Sequence, residues 1–329
     1  MKHITELENF ISEKPSVVTL GKFDGVHRGH RKLLARVHEI SRRRGYEAAV
    51  FTFSVSPQVQ MGARKAKMLM TNRERASYLR EQNIDLLIEC PFTEEIRTME
   101  AGTFVEEILV RRMQAKAVVV GTDFRFGLNR AGTPDFLKQY EEQGVFTVDI
   151  IEKEKDTESI HASAQNDSEA AQNEERTEPR DISSTYIREE LAAGHMEKVH
   201  ELLGYPYFVT GEIVHGRHLG HTLGFPTINQ VPDPEKMLPP NGVYISRTRV
   251  GGKWYQGVSN IGVKPTVDGS AMGIETYLFD CSLDLYGQKA RVELLSYRRP
   301  EMKFASIDEL KNQMDSDIQS ADEYFSMTE

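Results

Sequence analysis

The stretch Val17-Val18-Thr19-Leu20-Gly21-Lys22-Phe23-Asp24-Gly25-Val26-His27-Arg28-Gly29-His30, running into Arg31-Lys32-Leu33-Leu34, decides how the chain is read. An apolar run ends at a glycine, a short turn follows, and a helical pattern begins near Gly29. A strand–loop–helix opening of this kind presents backbone N–H groups and the positive end of a helix to an anion. His27 and His30 lie on the first helical turn and point the same way, while Gly25 and Gly29 let the backbone pass close to a ligand. A nucleotide phosphate held by amides and imidazoles suits this arrangement. A metal-binding histidine pair and a plain surface turn are the competing readings. No HExxH and no clustered Cys/His ligand set accompanies the pair.

Outward from this stretch, Arg31 to Arg44 reads as an amphipathic helix with Leu33, Leu34, Val37 and Ile40 on one face. Gly45 stops it, with Arg42-Arg43-Arg44 at the negative end of the helix dipole, a role preferred here to a nucleic-acid patch. Strands are predicted at Ala48–Phe53, Asp85–Cys90, Ala117–Gly121 and Phe146–Ile151. Helices are predicted from a capping box at Thr71-Asn72-Arg73-Glu74 to about Gln82, between Thr93 and Met113, and from Thr133-Pro134 onward. Strands alternating with helices give a parallel, doubly wound, Rossmann-like sheet. Ligands in such sheets bind beyond the carboxyl ends of the strands, where Gly21–His30 and Gly121-Thr122-Asp123-Phe124-Arg125-Phe126-Gly127 both fall.

At 329 residues the chain is long enough for two domains, and 39% hydrophobic with 28% charged residues is ordinary for a soluble protein. A net charge of −9 argues against a dedicated nucleic-acid binder. Cys90 and Cys281 are the only cysteines, so neither a disulfide framework nor a thiolate zinc site is expected. No apolar run reaches transmembrane length and Met1-Lys2-His3 lacks a signal-peptide core, so the expectation is a cytoplasmic protein with no membrane partner. From Glu152 to Arg180 there are nine acidic and four basic residues with Ile160 the only large aliphatic, which predicts an acidic, disordered insertion.

Order is expected to return at Asp181-Ile182-Ser183-Ser184-Thr185-Tyr186-Ile187-Arg188, where consecutive hydroxyls and an arginine at a helix start can cap the helix or bind phosphate. Helix is predicted from Arg188 to Leu203, then strands at Phe208–Val214, Tyr244–Val250, Lys253–Val258, Glu275–Leu283 and Ala290–Ser296. Gly251-Gly252 makes a hairpin turn, and a terminal helix runs from a capping box at Ser306 to Phe325. Between the first two strands, Gly216, Gly220 and Gly224 with interleaved basic residues suggest a phosphate-contacting loop, although no Walker motif exists in the chain. A run of strands closed by one helix predicts a small antiparallel barrel or sandwich.

With these residues in hand a resemblance becomes specific. The HxGH pair at 27–30 and the ISSTYIR segment at 182–188 resemble the two nucleotide signatures of the nucleotidylyltransferase superfamily. GFPTIN at 224–229, NGVY at 241–244, GVSNIGVKPT at 257–266, IETYLFD at 274–280, LYG at 285–287 and RRPEMKF at 298–304 resemble the riboflavin kinase domain. Together with GTDFRFG at 121–127, the whole chain is similar to the bacterial bifunctional riboflavin kinase/FAD synthetase family.

That resemblance implies an FMN adenylyltransferase domain at 1–187 with the insertion at about 152–180, then a kinase domain at 188–329 that includes the linking helix 188–203. It implies ATP as co-substrate, riboflavin, FMN and FAD as substrate and products, and Mg²⁺ as cofactor; it gives no oligomeric state. On matching positions it makes Glu275 the kinase base, though the strand pattern alone reads Glu275 as a surface carboxylate. Thr227 and Asn229 would hold Mg²⁺ and Gly216, Gly220 and Gly224 the kinase phosphates, with Asn260 and Arg298 on the flavin. In the synthetase half it assigns ATP to His27, His30, Gly21, Phe23, Asp24, Gly25, Gly29, Ser184, Thr185 and Arg188, and the flavin to Asp123, Phe124 and Phe126. Two departures stand out. Phe53-Ser54-Val55-Ser56-Pro57 replaces the family's usual Phe-x-Pro-His-Pro, and His221 and Ile228 replace a common arginine and alanine. A chain with one working half, or a flavin-binding regulator without turnover, are the alternatives.

Overall fold

The computed structural model describes residues 1–54, 67–157, 179–216, 225–266 and 269–328. Gly220, His221, Gly224 and Val55 to Pro57 lie outside the described residues. The chain divides into two units, Met1–Ser184 and Thr185–Glu329.

In the first unit, strands β1 (Lys2–Ile4), β2 (Ser16–Leu20), β3 (Glu47–Phe53), β4 (Leu86–Cys90), β5 (Ala115–Gly121) and β6 (Thr147–Ile151) form one parallel sheet in the order β1-β4-β3-β2-β5-β6. The chain steps one way from β2 through β3 to β4 and the other way through β5 to β6, so β2 and β5 flank the switch point where such sheets bind ligands. Every residue of β2 and β4 is buried, as helices on both faces require. Helix α1 (Arg28–Arg44) lays Leu33, Leu34, Val37 and Ile40 against β2, β3 and β5, and Gly45 ends it in a left-handed cap (φ 70°). The Thr71 capping box forms as its sequence predicts at the head of α2 (Asn72–Glu81), and Thr133 caps α3 (Pro134–Glu142), with proline in its first turn.

Strand β1 was not legible in the sequence: it is short, and only its pairing with Leu86–Ile88 of β4 makes it a strand. The acidic stretch also differs from expectation at its ends. β7 (Lys155–Asp156) pairs with β8 (Arg180–Asp181) as a two-stranded ribbon, and the Glu154 carboxylate meets Arg28 at 2.7 Å and also Lys32. Composition counts these charges as solvated, whereas the fold supplies cations from α1 to pair with them; residues 158–178 lie outside the described part.

In the second unit, β9 (Tyr207–Val214), β10 (Thr227–Gln230), β11 (Gly242–Val250), β12 (Lys253–Thr266), β13 (Gly269–Leu278) and β14 (Lys289–Arg299) close into an antiparallel barrel in the order β10-β13-β12-β11-β14-β9. Closure selects the barrel over the sandwich and leaves no free sheet edge. The helix predicted from Arg188 to Leu203 is two helices, Ser184–Ala193 and Met196–Leu203, because Gly194 turns left-handed (φ 83°) between them. A terminal helix, Ile307–Thr328, seats Ala321 and Phe325 against Ile245 and Leu295 on the outside of the barrel, and Arg299 grips Asp317 at 2.9 and 2.6 Å.

Candidate functional site

In the first unit the loop leaving β2 is backbone-strained: Phe23 (φ 49°), Gly25 (φ 83°) and Val26 (φ 37°) are all left-handed. A β-branched residue there persists only if its surroundings over-determine it. They do. The Phe23 and Val26 side chains are wholly buried, the Met70 amide donates to Asp24 Oδ1 (3.1 Å), and the Ser184 hydroxyl donates to the Asp24 carbonyl (2.8 Å). Ser184 therefore joins the loop that holds Gly21, Phe23, Asp24, Gly25 and Gly29. Thr185 and Arg188 follow it on the same helix and belong to the second unit.

His27 stands at the N-cap position of α1 without capping it, and its ring stacks on His30 with centroids 3.8 Å apart. Phe23 packs on the far side of His30 at 4.9 Å. Gly29 makes room for this, since a Cβ there would come within 3.3 Å of the His27 ring. Nδ1 of both histidines is buried without a hydrogen-bond partner. Burial lowers the His27 imidazole to about 4. Burial first, then the neighbouring His27 and the Arg75 guanidinium, hold His30 well below the ordinary imidazole value. Both rings are neutral and closely packed, each with an unsatisfied Nδ1. An entering phosphate would bring negative charge, raise both values and turn the rings into charge-assisted donors.

The loop after β5 sets Asp123 outward, near Lys153 (3.2 Å), and stacks Phe124 on Phe126 at 5.5 Å. Of the two aromatics Phe126 is the buried one. It touches Phe104 and Phe136, and the space beside it depends on Gly132, whose added Cβ would lie 2.5 Å from the ring. Phe126 thus packs into the core beneath the loop, and Asp123 and Phe124 are the members nearer its surface.

In the second unit, strand register builds the cluster. Asn229 of β10 pairs with Glu275 of β13, which pairs on its other side with Asn260 of β12. Directly paired residues share a sheet face, and Thr227 joins them two residues from Asn229. The opposite face of the same strands is the barrel interior, where Ser246, Ser259 and Thr276 are fully buried and hydrogen-bonded at 2.8 and 2.7 Å. Glu275 therefore faces outward in a row of polar side chains, with Asn260 Oδ1 buried and unpartnered beside it. Gly216 abuts Asn229 so closely that a Cβ would fall 2.4 Å from its amide nitrogen. A cleft of about 530 Å³ meets the row at its β10 end: Thr227 and Asn229 line it with Ile228 and the segment Cys281 to Tyr286, while Glu275 and Asn260 do not. Arg298 stands apart and exposed. It is the extra residue of a bulge, because Val243 pairs with Arg299 and Tyr244 with Tyr297.

Thr227, Asn229 and Glu275 offer only oxygen donors, the set a hard divalent cation prefers. Among the described residues no group of three His, Cys, Asp or Glu could hold a metal by itself, so a Mg²⁺ here would complete its shell with substrate phosphates and water.

Nothing in the sequence signals the network under the first loop. Arg75, on α2, donates to the carbonyls of Lys22 and Phe53 (both 3.1 Å), to Asn72 and to Glu89, and Glu89 also holds His3 of β1. Lying between Arg73 and Arg80, it looks like one more solvated helix charge.

A family profile described as FAD synthetase matches residues 10–165, and one described as riboflavin kinase matches residues 203–325. The chain is 37% identical to the bifunctional riboflavin kinase/FMN adenylyltransferase of Escherichia coli strain K12, over 100% of this chain and 99% of that one. It is 33% identical to the protein of the same name from Bacillus subtilis strain 168, over 98% of each. A crystal structure titled a macrolide-efflux protein from Streptococcus pneumoniae superposes with a TM-score of 0.81 at 27% identity over 97% of both chains. Among the described residues no helix of this protein is long and apolar enough to cross a membrane.

Proposed function

The chain belongs to the bifunctional riboflavin kinase/FMN adenylyltransferase family, and from that premise we propose how its residues divide the two ATP-dependent steps. In the kinase step the riboflavin 5′-hydroxyl attacks the γ-phosphorus of ATP, Glu275 accepts the hydroxyl proton, and ADP leaves with FMN as product. A positioned carboxylate serves as base here because the alcohol is a poor nucleophile until its proton has somewhere to go. Thr227 and Asn229 would hold Mg²⁺, which would supply charge neutralisation at the phosphates, while Gly216 keeps the backbone close to Asn229 and Asn260 meets the flavin. Gly220, Gly224 and Arg298 complete the kinase assignment.

In the synthetase step a phosphate oxygen of FMN attacks the α-phosphorus of a second ATP and pyrophosphate leaves. The nucleophile is already an anion, so orientation and charge stabilisation replace a base. His27 and His30 donate to the phosphates, with Ser184, Thr185 and Arg188 on the same nucleotide, and Asp123 and Phe124 receive the flavin, Phe126 supporting them. The domains are 1–187 and 188–329, in a cytoplasmic enzyme acting on small molecules.

The observation that carries this reading is the row Asn229–Glu275–Asn260, which strand register brings onto one outer face, with Asn229 also lining a cleft. Incubation with riboflavin, ATP and Mg²⁺, with products separated over time, tests it: FMN appears first and FAD follows. Tight flavin binding without turnover would leave a regulator instead. A second reading, in which FMN accumulates without FAD, has one observation in its favour: Ser54-Val55-Ser56-Pro57 lacks the family's histidine.

A further inference from the structure

The buried arginine beneath the nucleotide loop has work that neither half-reaction assigns. Arg75 is 4% exposed, and its guanidinium gathers three strand ends. Nη1 donates to the Lys22 carbonyl, one residue beyond Gly21, and Nη2 donates to the Phe53 carbonyl at the end of β3 and to Glu89 on β4. The Lys22 carbonyl takes a second bond from Thr52 Oγ1 at 3.2 Å. Lys22 immediately precedes Phe23, where the backbone first turns left-handed, so whatever fixes the Lys22 peptide aims the whole turn that ends at His27. Glu89 is held from its other side by His3 of β1 at 2.9 Å. The chain His3–Glu89–Arg75–Lys22 thus ties an edge strand to the strained loop.

A buried ion pair between packed elements adds little net stability over apolar side chains of the same volume, so stability alone is a weak reason for this one. Geometry supplies a better reason. The guanidinium reaches these acceptors from separate nitrogens, Nη1 to one carbonyl and Nη2 to the other carbonyl and the carboxylate, whereas the three donors of a lysine spring from a single atom and cannot span the same positions. The titratable groups facing Arg75 are Glu89 of β4, Asp24 of the loop and His30 of α1.

We propose that Arg75 is a positioning residue for adenylyl transfer: through the Lys22 carbonyl it sets the turn that carries His27 and His30, without touching the nucleotide. The proposal rests on the reading of those histidines as the phosphate site.

The test compares R75M, R75K and H30A in the full-length protein, following FAD formation from FMN and, in the same preparations, FMN formation from riboflavin. A misaimed loop costs on the order of 10²-fold in turnover, so kcat for FAD formation is expected to fall by about that factor in R75M. In R75K, which keeps the charge and loses the fork, a fall of about tenfold is expected, while riboflavin phosphorylation stays within about twofold of the parent in both. The alkaline limb of the FAD-forming pH profile, where phosphate-bound His30 loses its proton, moves to higher pH in R75M, because removing a cation beside the ring favours its protonated form, and stays in place in R75K. R75K turning over at the parental rate, R75M with an unmoved alkaline limb, or both activities falling together would each overturn the proposal. H30A retaining full FAD synthesis would sink the phosphate-site reading instead, whatever the Arg75 variants do.

Discussion

His27 shows what a buried neutral imidazole does to stability. Its value is about 4 in the folded chain against 6.5 when exposed, so between these values the unfolded state binds a proton that the folded state refuses. Stability is therefore complete above pH 6.5 and declines as pH falls towards 4, by on the order of 3 kcal/mol from this group. Urea unfolding of the parent and of His27→Asn at pH 7 and pH 5 checks it: the loss on acidification is smaller in the variant, and equal losses would mean that His27 is not buried neutral. His30→Ala should slow FAD formation by on the order of 10²-fold, the usual weight of one donor aimed at developing charge, with the loss in turnover more than in ATP affinity. Glu275→Gln should act on the other step, lowering FMN formation by roughly 10²-fold or more and leaving FAD formation from supplied FMN nearly unchanged. Kinase turnover surviving in that variant would return Glu275 to the surface carboxylate its strand pattern suggests.

At the scale of the element, local chemistry was legible wherever the partner lies a few residues away. Thr71 and Glu74 satisfy each other's backbone N–H groups at 3.2 and 3.0 Å, as their spacing predicts, and Thr71→Ala should lower stability by about 1 kcal/mol in thermal or urea unfolding. Ser306 accepts from the Glu309 amide at 3.1 Å, yet the Glu309 carboxylate reaches the Ala305 amide and not that of Ser306, one residue outside a regular box. β12 runs past its predicted end because pairing extends it, while β13 begins earlier than predicted and stops at Leu278, short of Leu283. Lys253 to Thr266 is one strand since β13 offers partners along its length, from Gly257↔Leu278 to Thr266↔Gly269. Close strand approach makes Gly257 indispensable: a Cβ there would stand 2.2 Å from the Tyr277 carbonyl oxygen. Gly257→Ala should therefore destabilise the kinase barrel and reduce FMN formation, read by unfolding and by turnover together.

For the whole molecule, the two steps are joined by a product. FMN made in one step is the substrate of the other, so neither variant that blocks a single step makes FAD from riboflavin, while a mixture of the two variants can. His30→Ala protein supplies FMN to Glu275→Gln protein, and FAD should reappear in the mixture after a lag that shortens as protein concentration rises. A mixture that stays inactive while each variant keeps its own half-reaction would mean that FMN is not released between steps.

The sequence alone determined the order of the strands and helices apart from Lys2–Ile4 and the barrel strand Thr227–Gln230, the doubly wound character of the first unit, and every motif whose members are neighbours along the chain, from Gly21–His30 to Ser183–Arg188. Those features follow from periodicity, caps and turn residues, which act over a few positions. Tertiary structure decided what depends on separation in sequence and closeness in space. It made a strand of Lys2–Ile4, aligned Asn229, Glu275 and Asn260 by register, sent Phe126 into the core, and ordered Glu154 against α1 cations. It also buried Arg75 under the loop, where its value comes from the Lys22 and Phe53 carbonyls that only the folded sheet brings to one point. A side chain's partners across strands are set by pairing and closure, and neither has a signature in the residue itself.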